Sequence, residues 1–378
     1  MIVGLGLSSR AEPIRAVMEA ARAACAAVPA EQRALVVVIA SGAPAASPAE
    51  LATAAAELTG APLVVSATSA GVGVGGIELE GDGVAIAVIG GVDARVAGGD
   101  GLGFDSDAAT SAALRDLDLE PDGAALLWFD AMTVSPAGMI DALRRQVPAG
   151  LPLLGLGAVD RQGAPWVGVD EQPTPDAVAA LWLRGVSARW SQAPMGQPLT
   201  GPLHVTRGMG GIIEELDGRR AYEVLAEAVR APMMADLERM GRTVFVGLPG
   251  PGGVELVRPL RGVDPYAGAI AVGGAPVQPG QAIRFLLRSP EQARENLQGA
   301  IDALQAQLDQ PPALLLVARA AGRGQELYGP DLAGVEAAMV ASAFPDTPVL
   351  SAMSACELTP TPDGHALHLY TTLLIALT

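Results

Sequence analysis

One local pattern recurs three times along this chain and restricts its fold more than any other feature. A short apolar strand opens after a proline and runs into Gly, Ala, Ser and Thr. It reads P-L-V-V-S-A-T-S-A-G-V at Pro62–Val72, P-L-L-G-L-G-A-V-D at Pro152–Asp160 and P-V-L-S-A-M-S-A-C-E-L-T-P at Pro348–Pro360. Small residues at a strand end let a ligand or a second backbone approach closely. Each copy sits in the same order of segments: strand, helix, strand, strand. The first copy runs through Ala34–Ala40, Ser47–Leu58, Leu63–Ser66 and Val84–Ile89. The second uses Ala124–Phe129, Ser135–Val147, Leu153–Leu156 and Ala177–Val186. The third uses Ala313–Ala318, Leu332–Phe344, Val349-Leu350 and one long strand, Ala366–Leu377. Recurrence in a fixed order is the mark of an internal repeat.

Composition decides what such repeats are made of. Half of the 378 residues are apolar but only 3% are aromatic, so the core is Val, Leu, Ile and Ala. Forty-six Gly and 30 Pro punctuate the chain with turns. Net charge is −17, from 24 basic and 41 acidic residues, which repels a phosphate backbone and argues against nucleic acid as a partner. All the basic residues are Arg. Without Lys there is no Walker A loop, no Schiff base and no lysine general base. Two cysteines far apart, Cys25 and Cys356, suit a reducing cytosol better than a disulfide framework. No segment reads as a signal peptide or a membrane span, so the expected location is cytoplasmic.

Between the second and third copies the chain changes character. Ser187–Pro202 is rich in Pro, Gly and Ser, and residues 191–202 read as a linker between domains at 1–190 and 203–378. A hairpin over Leu203–Leu216, a helix over Arg219–Ala231 and strands at Thr243–Leu248, Val254–Leu260 and Ala269–Val272 follow. Ser289-Pro290-Glu291 starts a helix with an apolar face through Leu308.

Several residues carry candidate chemistry. Gly71–Gly76 satisfies G-x-G-x-x-G, but it leads into strand and turn rather than a helix, so it fails the context a dinucleotide loop needs. Cys356 is a nucleophile only if a base such as His365 or His368 reaches it; a Cys among small apolar residues is more often packing. The three histidines and two cysteines have no metal-ligand spacing. Arg323, between Gly322 and Gly324 beyond a strand end, could offer its fork to a carboxylate or phosphate, or close a salt bridge within the fold. Asp160 and Glu357 end equivalent strands. Across a shared cleft they would suit a ligand amine or perform acid–base work, while turn capping explains Asp160 equally well. Arg207 lies in the glycine-rich turn of the hairpin.

These pieces, in this order, resemble the FIST family (F-box and intracellular signal transduction). Leu203–Ala221, Arg258–Asp264, Ala271–Gln281, the G-R-G and L-Y-G of Gly322–Gly329, S-A-C-E-L-T-P and the last strand resemble its C-terminal domain. S-A-T-S-A-G and G-L-G-A-V-D are similar to turns of its N-terminal domain. Val72, Ala320 and Cys356 depart from the family pattern, which has an acid, a cysteine and a glycine there. The resemblance implies a small-molecule sensory protein, with amino acids or related metabolites as ligands and no residues left over for an output domain.

The expectation is therefore a mixed α/β (α+β) protein of two packed halves built from related units, with a layered α-β-β-α sandwich as one arrangement. Ligand would bind where the three strand ends converge, through Arg323, Gly322, Gly324, Glu357, Asp160, Cys356, Ser66 and Arg207. No cofactor, metal or catalytic residue is assigned. A separate signalling protein and a homodimer through exposed strand edges are the expected partners. The alternative is a hydrolase-type enzyme using Cys356 or the Asp160/Glu357 pair on a small amide or ester; a third reading is a scaffold without ligand.

Overall fold

A computed structural model describes residues 1–229, 236–274 and 276–378. The chain forms a mixed α+β protein of two compact units, residues 1–193 with 297–378, and residues 194–296. The third copy of the pattern thus groups with the first two, and residues 191–202 carry two strands, Ala188–Pro194 and Gly196–Pro198.

The larger unit is a threefold repeat. In each copy two strands run parallel with a helix between them, and the last strand lies antiparallel beside the first. Arg33–Ser41, Leu63–Thr68 and Gly83–Gly90 form the first set. Gly123–Asp130, Leu153–Ala158 and Ala177–Arg184 form the second. Leu314–Ala320, Val349–Ser354 and Thr371–Leu377 form the third. The repeat is longer than its sequence signal. A further strand joins each sheet beyond the antiparallel one: Ile2–Ser8, Asp93–Asp100 and Ala188–Pro194. A helix follows it in each copy, at Pro13–Cys25, Ser106–Leu117 and Pro290–Gln305. In the third copy, residues 194–296 interrupt the chain at that joint.

Alternation along the strands explains how the sheets pack. Leu35, Val37 and Ile39, Leu126 and Trp128, and Leu314 and Leu316 all enter one core shared by the three sheets. Their neighbours Val36 and Val38, Leu127 and Phe129, and Leu315 and Val317 face the helices instead. A two-residue period allows both faces to be apolar because both are covered. Helices thus lie outside and sheets inside, with three sheets around the common core rather than the two of a simple sandwich.

The strand ends are exchange points. After Leu63–Thr68 the chain leaves its own sheet and forms the hairpin Val72–Val74 with Ile77–Leu79 on the edge of the third sheet. After Leu153–Ala158, strand Val167–Val169 pairs with the first sheet. After Val349–Ser354, the hairpin Glu357–Thr361 with Gly364–His368 pairs with the second. One edge of each sheet is thereby covered by a short strand or hairpin from a neighbouring copy. The long terminal strand read from the sequence is two strands in two sheets. The chain breaks at Tyr370, whose φ of 58° lies in the left-handed region.

The smaller unit is a barrel-like sheet. Ala282–Arg288 pairs with Leu203–Met209 on one side and with Val244–Pro249 on the other, so the sheet closes. Val205, Ile213, Leu225, Val246, Ile270 and Phe285 fill its core. The hairpin and the helix Ala221–Val229 match the sequence reading; Arg230 and Ala231 lie outside the described residues. The strand Ala282–Arg288 has no clear alternation in sequence and was not expected.

Candidate functional site

The three strand ends meet in the larger unit, and backbone hydrogen bonds join them. Ala70 N–H donates to the Met353 carbonyl at 3.3 Å and Met353 N–H to that of Gly71 at 2.9 Å. Gly157 N–H donates to the Cys356 carbonyl at 2.8 Å and Ala355 N–H to that of Gly157 at 3.0 Å. Thr68 N–H reaches the Trp166 carbonyl at 3.0 Å. The small residues are there for these crossings. A Cβ on Gly157 would stand 2.7 Å from the Cys356 sulfur and 2.8 Å from Ala131 Cβ.

Beside this junction lies a buried charged network to which all three copies contribute. The exchanged hairpin of the first copy brings Glu78, and the turn after it Glu80. The turn after Asp160 brings Arg161. The third copy brings Arg319 at the end of its first strand, Arg323 in the following turn, and Glu336 on the helix Val335–Ala343. Arg319 pairs with Glu78, both under 5% exposed. Arg323 is fully buried. Its Nη2 donates to Glu336 Oε1 at 2.8 Å, and its Nη1 to the Ala193 carbonyl at 2.9 Å. Tyr328 donates to the same carboxylate at 2.6 Å and Thr372 at 3.1 Å. Arg161 reaches Glu80 at 3.4 Å and is 40% exposed, against 5% for Glu80. Glu80 also accepts the Gln325 N–H at 2.8 Å.

Burial sets the protonation in this network. Desolvation lowers Arg319 to about 10. It also raises Glu80, and raises Glu357 well above the usual carboxylate range. Glu336 goes the other way. Burial alone would raise it, but Arg323, Arg319 and the hydrogen bonds from Arg323 and Tyr328 hold it below its ordinary value. Three arginines, Arg161, Arg319 and Arg323, face three carboxylates, Glu78, Glu80 and Glu336. The pairing is incomplete in hydrogen bonds: Arg319 Nε and Nη1, Glu78 Oε2 and Glu357 Oε2 are buried without a partner. Arg319, Glu78, Glu336, Ser351 and Thr372 line a cavity of about 10 Å³, room for about one water.

The expected site residues divide accordingly. Arg323 has closed the salt bridge within the fold, the second of its two sequence readings. Gly322 lies in the short turn Ala321–Arg323. Gly324 leaves space that the Glu80 carboxylate fills. Glu357 is fully buried and accepts from Ser354 at 2.6 Å. Asp160 accepts the Gln162 N–H at 2.9 Å, which is turn capping; no hydrogen bond or ion pair joins it to Glu357. Cys356 packs with Leu127, Phe129 and Leu358 in the helix-side core of the second sheet. Ser66 is buried within the first sheet, on the face it shares with Val64. Arg207 is an exposed residue of the barrel unit, paired with Glu214 and Glu215. Among the described residues no cluster of His, Cys, Asp or Glu could hold a metal, and no helix is long and apolar enough to cross a membrane.

Sequence reasoning missed Arg319, Glu78, Glu80 and Glu336. Arg319 had a signal: it is the one charge in the buried strand L-L-L-V-A-R-A, and buried charges are nearly always paired.

Residues 34–219 match the FIST N domain and residues 221–360 the FIST C domain. The chain belongs to the FIST family. The F-box part of the family expansion does not apply: what residues 34–219 and 221–360 match are FIST domains. FIST domains are associated with sensing in signal transduction. The chain is 30% identical over 183 residues to uncharacterized protein Rv0628c of Mycobacterium tuberculosis, covering 46% of this chain and 47% of that one. It is also 30% identical over 183 residues to uncharacterized protein Mb0898c of Mycobacterium bovis, at 46% of each. The match spans about half the length of these curated relatives.

Proposed function

We propose that this FIST protein senses a small zwitterionic metabolite, an amino acid or a close relative, at the three-copy junction. The observation that carries the reading is the set of unpartnered buried groups of both signs. Arg319 offers two free donors where an α-carboxylate would bind, and Glu78 a free acceptor for an ammonium. Leaving such groups unpaired costs about 1–3 kcal/mol each, so a ligand supplying the missing bonds has a large differential affinity for this site. The cavity is far smaller than an amino acid. Binding therefore requires side chains around the cavity to move, and the Arg161–Glu80 pair, with Arg161 40% exposed, is where the network meets solvent. The cavity walls come from the first and third copies, and Arg161 of the second reaches Glu80 beside them, so that movement would be felt in more than one copy.

Thermal shift against the twenty amino acids and their decarboxylated and deaminated analogues tests this. A binder present at about 100 times its Kd should stabilise the wild type by roughly 2.7 kcal/mol, a shift of a few degrees. The gain should shrink in Glu78→Gln and Arg161→Gln. No stabilising compound, or equal stabilisation of both variants, would sink the proposal.

A further inference from the structure

A second cavity stands at the far end of the exchanged hairpin that carries Glu357. It measures about 620 Å³, within the range of small-molecule sites. Its walls come from the end of the second copy's helix and the loop after it (Leu143, Val147, Leu151), from Arg189 and Trp190, and from the hairpin turn.

Two polar groups in this wall are under-bonded. His365 is 8% exposed; neither ring nitrogen makes a hydrogen bond of good geometry, and the Leu153 backbone offers it a weak one. Thr361 Oγ1, on the opposite strand of the same hairpin, is also buried and unsatisfied. Buried polar side chains nearly always find partners, so two under-bonded groups in one pocket wall point to a bound polar group. Burial drives His365 down to about 4, so the ring is neutral at pH 7 and presents one donor and one acceptor.

The rim supplies charge. Arg144 and Arg189 both line the cavity. Arg144 pairs with Asp141 at 2.8 Å in an exposed salt bridge, 61% and 52% accessible, which a ligand can displace at little cost. Asp363 is the acid in the same wall. Trp190 is the half-buried tryptophan; Trp128, Trp166 and Trp182 are 3% exposed or less.

We infer that this cavity is a second ligand site, for a small organic acid with an aromatic or aliphatic body. The carboxylate would bind Arg144 and Arg189. The body would pack on Trp190 and Val147, and with a small shift of the hairpin turn a carbonyl or hydroxyl on it would reach His365 and Thr361, whose polar atoms lie just beneath the cavity wall. The site is separate from the junction and does not depend on what binds there.

The test titrates the full chain with 3-phenylpropionate and with its amide, 3-phenylpropanamide, following tryptophan fluorescence and the His365 side-chain NMR signal. The acid should quench Trp190 and shift His365, and bind at least about tenfold tighter than the amide, the scale of one charge-assisted hydrogen bond. Arg144→Gln/Arg189→Gln, two surface changes that leave the core intact, should weaken the acid by tenfold or more. Trp190→Leu should lose the quench while His365 still shifts. No change at either probe with the acid, or equal binding by the double arginine variant, overturns the inference. Neither result bears on the junction, whose residues these variants leave unchanged.

Discussion

Two buried titrating groups give this protein opposite responses to acid. Glu357 is raised in the folded state, so the stability it contributes is present below the unfolded carboxylate range and lost as pH rises through its folded value. His365 is lowered to about 4, so its contribution is present above the unfolded value of roughly 6.5 and lost as pH falls toward 4. Glu357→Gln should therefore gain on the wild type as pH rises above the unfolded carboxylate range, and His365→Phe should flatten the loss between about pH 6.5 and 4. Denaturant titrations across that range check both. The arginines separate just as clearly. Arg323→Met leaves Glu336 buried without its cation and should cost about 3–5 kcal/mol, while Arg207→Ala should stay within about 0.5 kcal/mol. At this scale the sequence left Arg323 open between a ligand contact and a salt bridge within the fold, and the fold closes the salt bridge. Arg323 and Glu357 drew attention because each is a charge among small residues. The same isolation describes a buried group paired in the fold, and Glu336, the partner 13 residues along, sits on a helix whose pattern gives no hint of it.

At the scale of elements, the crossings decide the fold. A side chain at Gly157 meets the Cys356 sulfur and Ala131, so Gly157→Val should destabilise by roughly 1–3 kcal/mol through overpacking. The same change at Gly150, with nothing within 4 Å of a Cβ, should be felt through its φ of 88° alone. Chemical denaturation of both variants checks the contrast. The strand–helix–strand core of each copy was legible because its apolar runs are long and its helices start at Ser-Pro or follow a turn. The outer strand and helix of the first copy read as strand Val3–Leu7 and helix Glu12–Ala27, and the third copy's outer helix opens at Ser289-Pro290 as expected. The second copy's outer pair and the third copy's outer strand were not legible. Asp93–Asp100, D-A-R-V-A-G-G-D, is too polar to read as a strand, and becomes one by pairing with Ala177–Arg184. The hairpin exchange was invisible for a related reason: sequence shows where a strand ends but not which sheet its successor joins.

For the whole molecule, the shared core makes the last segment indispensable to the first. Leu314, Leu316, Leu350, Leu373 and Ile375 enter the same core as Leu35, Val37 and Leu126. A chain ending at Ala193 should lack cooperative unfolding, and adding residues 297–378 as a separate polypeptide should restore it. Calorimetry of the two preparations checks this. The sequence reading placed a boundary at 191–202 because that stretch is rich in turn formers. In space the chain only pauses there to enter the barrel, and its third copy then resumes. In the proposed site, copies one and three hold a zwitterion between Arg319 and Glu78. The most direct measurement is the Nε–H NMR signal of Arg319 during titration with an amino acid that raises the melting temperature. The account predicts that this signal moves and saturates with the thermal shift. A stabilising ligand that leaves it unmoved would contradict the account.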